Sequence, residues 1–153
     1  RDHQGTIPPW VCLFEGCKDV VTEFSFLPHG ICSQNSQGNI RRVLENHALT
    51  AFFKAIVGYD DVSHGHQKPE AMGGLQCLDA MFGHRTSQCL MYIGDHEADV
   101  QFARNLQAAL GGNARVIPVA AAYSGAAPES WSCQPDYTAR SVDELYDLIG
   151  RYA

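Results

Sequence analysis

Apolar positions along the chain follow two spacings that alternate from the first residues to the last. From Trp10 they fall at Trp10, Leu13, Phe14, Cys17, Val20, Val21 and Phe24, the i, i+3, i+4, i+7 recurrence of one helical face, with Pro9 suited to its first position. Gly30-Ile31-Cys32 is a short apolar run that ends at the polar turn Ser33-Gln34-Asn35-Ser36 and predicts a buried strand. Ser36 is a cap for a helix whose buried face carries Ile40, Val43, Leu44 and Leu49. Ala55 to Gly58 predicts a second strand, followed by a polar loop from Tyr59 to Gln67. Pro69 then opens a helix with Ala71, Leu75, Leu78 and Phe82 on one face, weakened by Gly73-Gly74. Cys89 to Ile93 is continuously apolar, as a strand covered on both faces should be, and stops at Gly94-Asp95. The next helix carries Val100, Phe102, Ala103, Leu106 and Leu110 and ends at Gly111-Gly112. Val116 to Ala122 predicts another strand, and Ser124 to Gln134 a loop. Ser141-Val142-Asp143-Glu144 is a capping box for a last helix that buries Val142, Leu145, Leu148 and Ile149.

Strands that alternate with helices imply right-handed β-α-β units, so the expected class is α/β, a three-layer Rossmann-like core with a mainly parallel sheet. Residues 1–9 read as irregular and 10–153 as one core domain. In such sheets ligands bind outside the carboxyl ends of the strands, so those ends are where chemistry is to be sought.

Composition narrows the classes. The 153 residues are 45% hydrophobic, enough for one domain with a core and too few for two. Eleven basic against 17 acidic residues give a net charge of -6, and no stretch is rich in Lys or Arg, so no nucleic-acid partner is expected. No apolar run reaches the roughly 18 residues of a membrane span, so no membrane partner is expected. The cysteines at 12, 17, 32, 77, 89 and 133 contain no Cys-x-x-Cys. They are expected to be reduced, mostly buried thiols in a cytoplasmic protein.

Three strand ends or adjoining loops carry conspicuous polar groups. Ser33 follows Ile31-Cys32, Lys68 precedes Pro69, and Asp95 and Asp99 sit in Gly94-Asp95-His96-Glu97-Ala98-Asp99. Each has an ordinary reading alone. Serine after a strand is turn chemistry, lysine in a polar loop is solvated surface, and acidic residues favour a helix N-terminus, with Asp95 as its cap. As an ordered set at successive carboxyl edges they suit one phosphate and one cation. The hydroxyl donates to a phosphoryl oxygen, the ammonium neutralises it, and hard carboxylate oxygens suit Mg²⁺. His64 and His66 lack the spacing and the third ligand of a transition-metal site.

The set Ile31-Cys32-Ser33, Lys68-Pro69 and Gly94-Asp95-x-x-x-Asp99 resembles motifs two, three and four of the haloacid dehalogenase-like (HAD) superfamily. The stretches around them, and the tail from Pro135 to Ile149, are similar to phosphoglycolate-phosphatase-type members. The resemblance implies Mg²⁺-dependent transfer of a phosphoryl group from a small phosphomonoester, a phosphorylated metabolite, to an aspartate, followed by hydrolysis of the aspartyl-phosphate. It implies that Ser33 binds the phosphoryl group, with Gln34 where many relatives have Asn. It implies that Lys68 holds nucleophile and phosphate, that Asp95 binds Mg²⁺, and that Asp99 supports the cation. Catalytic roles thus fall to Ser33, Lys68 and Asp95, substrate binding to Ser33, Gln34 and Lys68, and metal binding to Asp95 and Asp99.

Motif one, an apolar strand ending in Asp-x-Asp-Gly-Thr, has one counterpart here, Asp2-His3-Gln4-Gly5-Thr6, with Gln4 in place of the second Asp and only Arg1 before it. Residues 1–9 are therefore expected to be the exit from a helical cap, with the nucleophile and first strand upstream. The resemblance makes that strand central, so its lack leaves buried strand edges unpaired. A missing N-terminal segment or a second copy is expected to complete the sheet. The chain alone is expected to be inactive. The rival expectation is a non-catalytic fragment or interaction module of the same fold.

Overall fold

A computed structural model describes residues 17–83, 89–112 and 114–153. The expected helical face from Trp10 to Phe14 and the Asp2–Thr6 stretch lie outside the described residues. These fall into two compact units, one running to Lys68 and resuming from Met72 to Arg85, the other holding Pro69–Ala71 and Thr86–Ala153.

In the first unit, helix α1 (Cys17–Glu23) precedes strand β1 (Gly30–Cys32), helix α2 (Gln37–Asn46), strand β2 (Ala55–Val57) and helix α3 (Met72–Phe82). β1 and β2 are parallel, with Gly30 opposite Ala55 and Cys32 opposite Val57. Alternate strand residues face opposite ways, and the two faces build two clusters. Ala55, Val57 and Cys32 pack with Val62, Cys77 and Met81, toward α3. Ile31 and Ile56 pack with Ile40, Leu44 and Leu49, toward α2. The result is helix, sheet, helix. The helix predicted from Pro69 begins at Met72, because residues 69–71 form a turn. Gly73, a poor helix former, is buried there for lack of room. A Cβ on it would lie 2.9 Å from the Cys32 sulfur.

The second unit runs strand β3 (Cys89–Gly94), helix α4 (Glu97–Leu110), strand β4 (Arg115–Ala121), strand β5 (Tyr137–Ala139) and helix α5 (Val142–Tyr152). Its sheet is parallel in the order β3-β4-β5. Ile117, Val119 and Ala139 pack with Leu145 and Leu148 of α5. On the other face Phe102 of α4 meets Tyr92 at 4.8 Å between ring centres. This unit too is three-layered, so the expected α/β class with parallel strands holds in each.

Three expectations change. β3 is only partly covered, with Ile93 37% exposed, because it pairs on one side among the described residues. β4, paired on both sides, is the buried strand. β5 falls where no strand was predicted. Cys32, Cys77, Cys89 and Cys133 are free thiols, and of these four Cys77 alone is buried, while Cys89 is exposed at the start of β3.

Pro118 sits inside β4 and is fully buried. A strand residue turns its N–H and C=O to the same side, and the Pro118 carbonyl accepts from Asp136 N at 2.9 Å, on the β5 side. The donor that proline lacks would face that side also, just ahead of the first β4–β5 pair, Val119 with Tyr137. The β3 ladder therefore loses no hydrogen bond. Arg104 of α4 pins the incoming segment, bonding Gln134 O and Asp136 Oδ1, each at 2.9 Å. Among the described residues no helix is long and apolar enough to cross a membrane.

Candidate active site

Ser33 continues the β1 ladder by one bond, its N–H donating to Val57 O at 3.0 Å. Its hydroxyl accepts from Asn35 N at 3.1 Å, which closes a tight turn at the carboxyl end of the strand. Ser36 then caps α2, accepting from Asn39 N at 3.3 Å. Gln34, on the same turn, reaches across to the loop after β2, where its side-chain N–H donates to Lys68 O at 2.9 Å. Ser33, Gln34 and Lys68 thus all lie in the first unit, with Gln34 of the turn bonded to the backbone of Lys68, which ends the loop after β2. Lys68 itself is half-buried.

Two acidic residues of that loop were not singled out from the sequence. The Asp60 carboxylate accepts from Gln37 N, the first turn of α2, at 2.9 Å. Asp61 accepts from Gly58 N at 2.8 Å and from the Gln37 side chain. Their signal was present as an acidic pair that follows a strand, its glycine and Tyr59. Its meaning came only from the fold, which sets them at the amino end of α2.

In the second unit, Asp95 follows β3 and is exposed. The helix cap is neither Asp95 nor Asp99. His96 takes that position, its Nδ1 accepting from Ala98 N at 3.1 Å. Asp99 turns back to accept from His96 N at 3.1 Å, completing a capping box. Its carboxylate also packs against Gly94 at the strand end. Glu97 faces elsewhere, accepting from Cys133 N at 2.7 Å and tying down the loop that follows β4.

Among the described residues no three His, Cys, Asp or Glu side chains form a ready-made metal cage. The residues nonetheless fit Mg²⁺, which keeps several waters and takes one or two carboxylates together with phosphate oxygens. Asp95 offers a carboxylate with no capping duty. Asp99 offers one that is oriented by its bond to His96.

The model of the haloacid dehalogenase-like hydrolase family matches residues 3–111. Pyrophosphatase PpaX of Listeria welshimeri is 26% identical over 150 residues, covering 97% of this chain and 63% of its own length. A HAD-superfamily hydrolase from Ehrlichia chaffeensis is similar in structure, with a TM-score of 0.67 and 18% identity over 90% of this chain and 58% of its own. The HAD-hydrolase YfnB of Bacillus subtilis, solved bound to magnesium, gives a TM-score of 0.64 and 19% identity over 89% of this chain and 54% of its own. At such identities the two structures carry the fold alone. The chain spans less than two thirds of the length of each of these three relatives. With a family model matching most of its length, and with Ser33 and Asp95 just beyond strand ends and Lys68 in the loop after β2, the chain belongs to the haloacid dehalogenase-like hydrolases.

Proposed function

We propose that the chain carries the phosphate- and cation-binding residues of a Mg²⁺-dependent phosphatase acting on a small phosphorylated metabolite in the cytoplasm. The observation that carries this reading is the capping of α4. His96 serves the helix N-terminus, which leaves the Asp95 carboxylate at the strand end for a cation. Ser33 donates its hydroxyl to the phosphoryl group, Lys68 neutralises that group's charge, and Asp95 with Asp99 holds the metal. Mg²⁺ supplies charge neutralisation at the phosphoryl oxygens.

The attacking carboxylate is supplied from upstream of this chain. Its oxygen forms the new bond to phosphorus as the ester P–O bond breaks, and the leaving oxygen takes a proton. Water then hydrolyses the aspartyl-phosphate and releases inorganic phosphate. The upstream segment, or a second copy, adds the strand that completes the sheet. PpaX is named for pyrophosphate, so pyrophosphate stands beside phosphomonoesters as a substrate to try.

The test is hydrolysis of p-nitrophenyl phosphate and of pyrophosphate with Mg²⁺, by the 153-residue chain and by the chain extended upstream. No turnover is expected from the first. The second should turn over, and Asp95→Asn and Lys68→Ala should each abolish that. Turnover by the 153-residue chain that Asp2→Asn removes would overturn the upstream nucleophile. No turnover by the extended chain would overturn the enzyme reading in favour of a non-catalytic module.

A further inference from the structure

The turn after β1 and the loop after β2 are bonded to each other at several levels. Tyr59 N donates to Asn35 O at 3.0 Å. Asp60 accepts from Gln37 N at 2.9 Å. The Asp61 carboxylate joins Gly58 N, at 2.8 Å, to the Gln37 side chain. That side chain also donates to Ile56 O at 3.2 Å. Farthest along, Gln34 donates to Lys68 O at 2.9 Å. The fit leaves no spare room, since a Cβ on Gly58 would lie 2.4 Å from Gln37 N and 2.9 Å from Asn35 O.

These bonds have a chemical use. A lysine ammonium rides on a long flexible stem, so it serves a fixed anion best when its backbone is fixed. Lys68 ends a polar loop, and that loop is braced along its length. Gln67 spans back to Tyr59 O at 3.4 Å and accepts from Gly65 N at 3.3 Å, and His66 N donates to Ser63 O at 2.9 Å. Gln34 and Asp61 are both exposed, so neither is there to fill the core.

We infer that Gln34 and Asp61 are positioning residues that brace the Gly58–Lys68 loop against the Ser33–Gln37 turn, so that the Ser33 hydroxyl and the Lys68 ammonium form a preassembled receptor for a phosphoryl group. The inference rests on the phosphate-binding reading of Ser33 and Lys68. It gives Gln34 a duty toward the lysine, where the family resemblance implied one toward substrate.

The experiment uses the upstream-extended protein with inorganic phosphate as the probe. Phosphate affinity is read by NMR titration and loop order by amide hydrogen exchange over residues 63–68. Gln34→Met keeps the length of the side chain and removes its donor. It should weaken phosphate binding about three- to tenfold, the scale of one lost hydrogen bond, speed exchange in the loop, and leave the thermal midpoint unchanged. Gly58→Ala attacks the same brace from the other side and should do both as well. Lys68→Ala should abolish phosphate binding with loop exchange unchanged. If Gln34→Met leaves loop exchange and phosphate affinity as they were while Lys68→Ala loses binding, the brace is overturned and the site stands. If Lys68→Ala binds as the parent does, or the parent binds no phosphate, the site reading falls and takes the receptor with it.

Discussion

The carboxylate of Asp99 lies against the backbone of Gly94, so close that a Cβ on Gly94 would sit 2.3 Å from the Asp99 carboxyl carbon. The glycine that ends β3 is therefore needed for space. Gly94→Ala should cost about 1–3 kcal/mol, the range for forcing an extra carbon into packed structure, and should shift Asp99 off His96 N. Urea unfolding measures the first, and the amide shift of His96 the second. Combining Gly94→Ala with Asp99→Ala removes the clash and should recover part of the loss. A double variant no more stable than Gly94→Ala would mean the strain lies elsewhere.

Mg²⁺ binding should depend on Asp95 more than on Asp99. Asp95 is at the strand end with its carboxylate free of the cap, whereas Asp99 already accepts from His96 N. Asp99→Asn keeps an acceptor for that bond and removes one charge. Calorimetric titration of Mg²⁺ into the upstream-extended protein should show binding lost in Asp95→Asn and weakened in Asp99→Asn. Equal losses, or loss confined to Asp99→Asn, would refute the order.

Acid should weaken the first unit through His29. Burial holds its imidazole below the ordinary value of 6.5, against the opposing pull of the Val21 and Phe24 carbonyls. Its Nε2 is buried with no hydrogen-bond partner among the described residues, and the ring lies 5.8 Å from that of Phe53. The unfolded chain thus takes up this proton at a higher pH than the folded one. The resulting stability is fully present above about pH 6.5 and is lost as pH falls through that value toward the folded one. Urea midpoints at about pH 7.5 and about pH 5.5 should differ more in the parent than in His29→Gln. Parallel losses in the two proteins would clear His29 of the effect.

Thiol chemistry should separate the described cysteines. Burial pushes the Cys77 thiol up to about 11, a shift its contact with the Ile31 carbonyl only opposes. Cys89 is exposed. Since the thiolate is the reactive form, iodoacetamide at neutral pH should alkylate Cys89 well before Cys77, as peptide mass spectrometry would show. Modification of Cys77 first would mean that α3 opens from β1 far more readily than its packing allows.

Elements whose signals are local were legible in the sequence. Ser36 and Ser141 cap α2 and α5 through their own side chains, and Gly111 ends α4 at a φ of 78°. β3 was legible because six consecutive residues leave little else to form. β5 was not. Tyr137-Thr138-Ala139 has neither the length nor the alternation of a strand, and it exists because β4 offers a partner. The start of α3 was placed three residues early, because proline permits a helix start without compelling one. Among the candidate site residues, Ser33 and Asp95 were singled out for following apolar strand runs, and they do follow β1 and β3, whereas Lys68 ends a loop eleven residues past β2. The His96 cap was not, because histidine is outside the usual capping set. Asp60 and Asp61 act through Gln37, more than twenty positions away, and no local pattern records that.

The proline in β4 bears on how the shortest strand finds its alignment. Three residues of β5 cannot specify a frame by themselves, since a slip toward the amino end of β4 would keep most of their contacts. Such a slip would ask Pro118 for a proton it does not have. The correct frame is thus selected by subtraction, with Ala120, two residues on and turned to the same side, as the first residue able to answer. Arg104, bonded to Gln134 O and Asp136 Oδ1 just upstream of Tyr137, holds the strand at that mark.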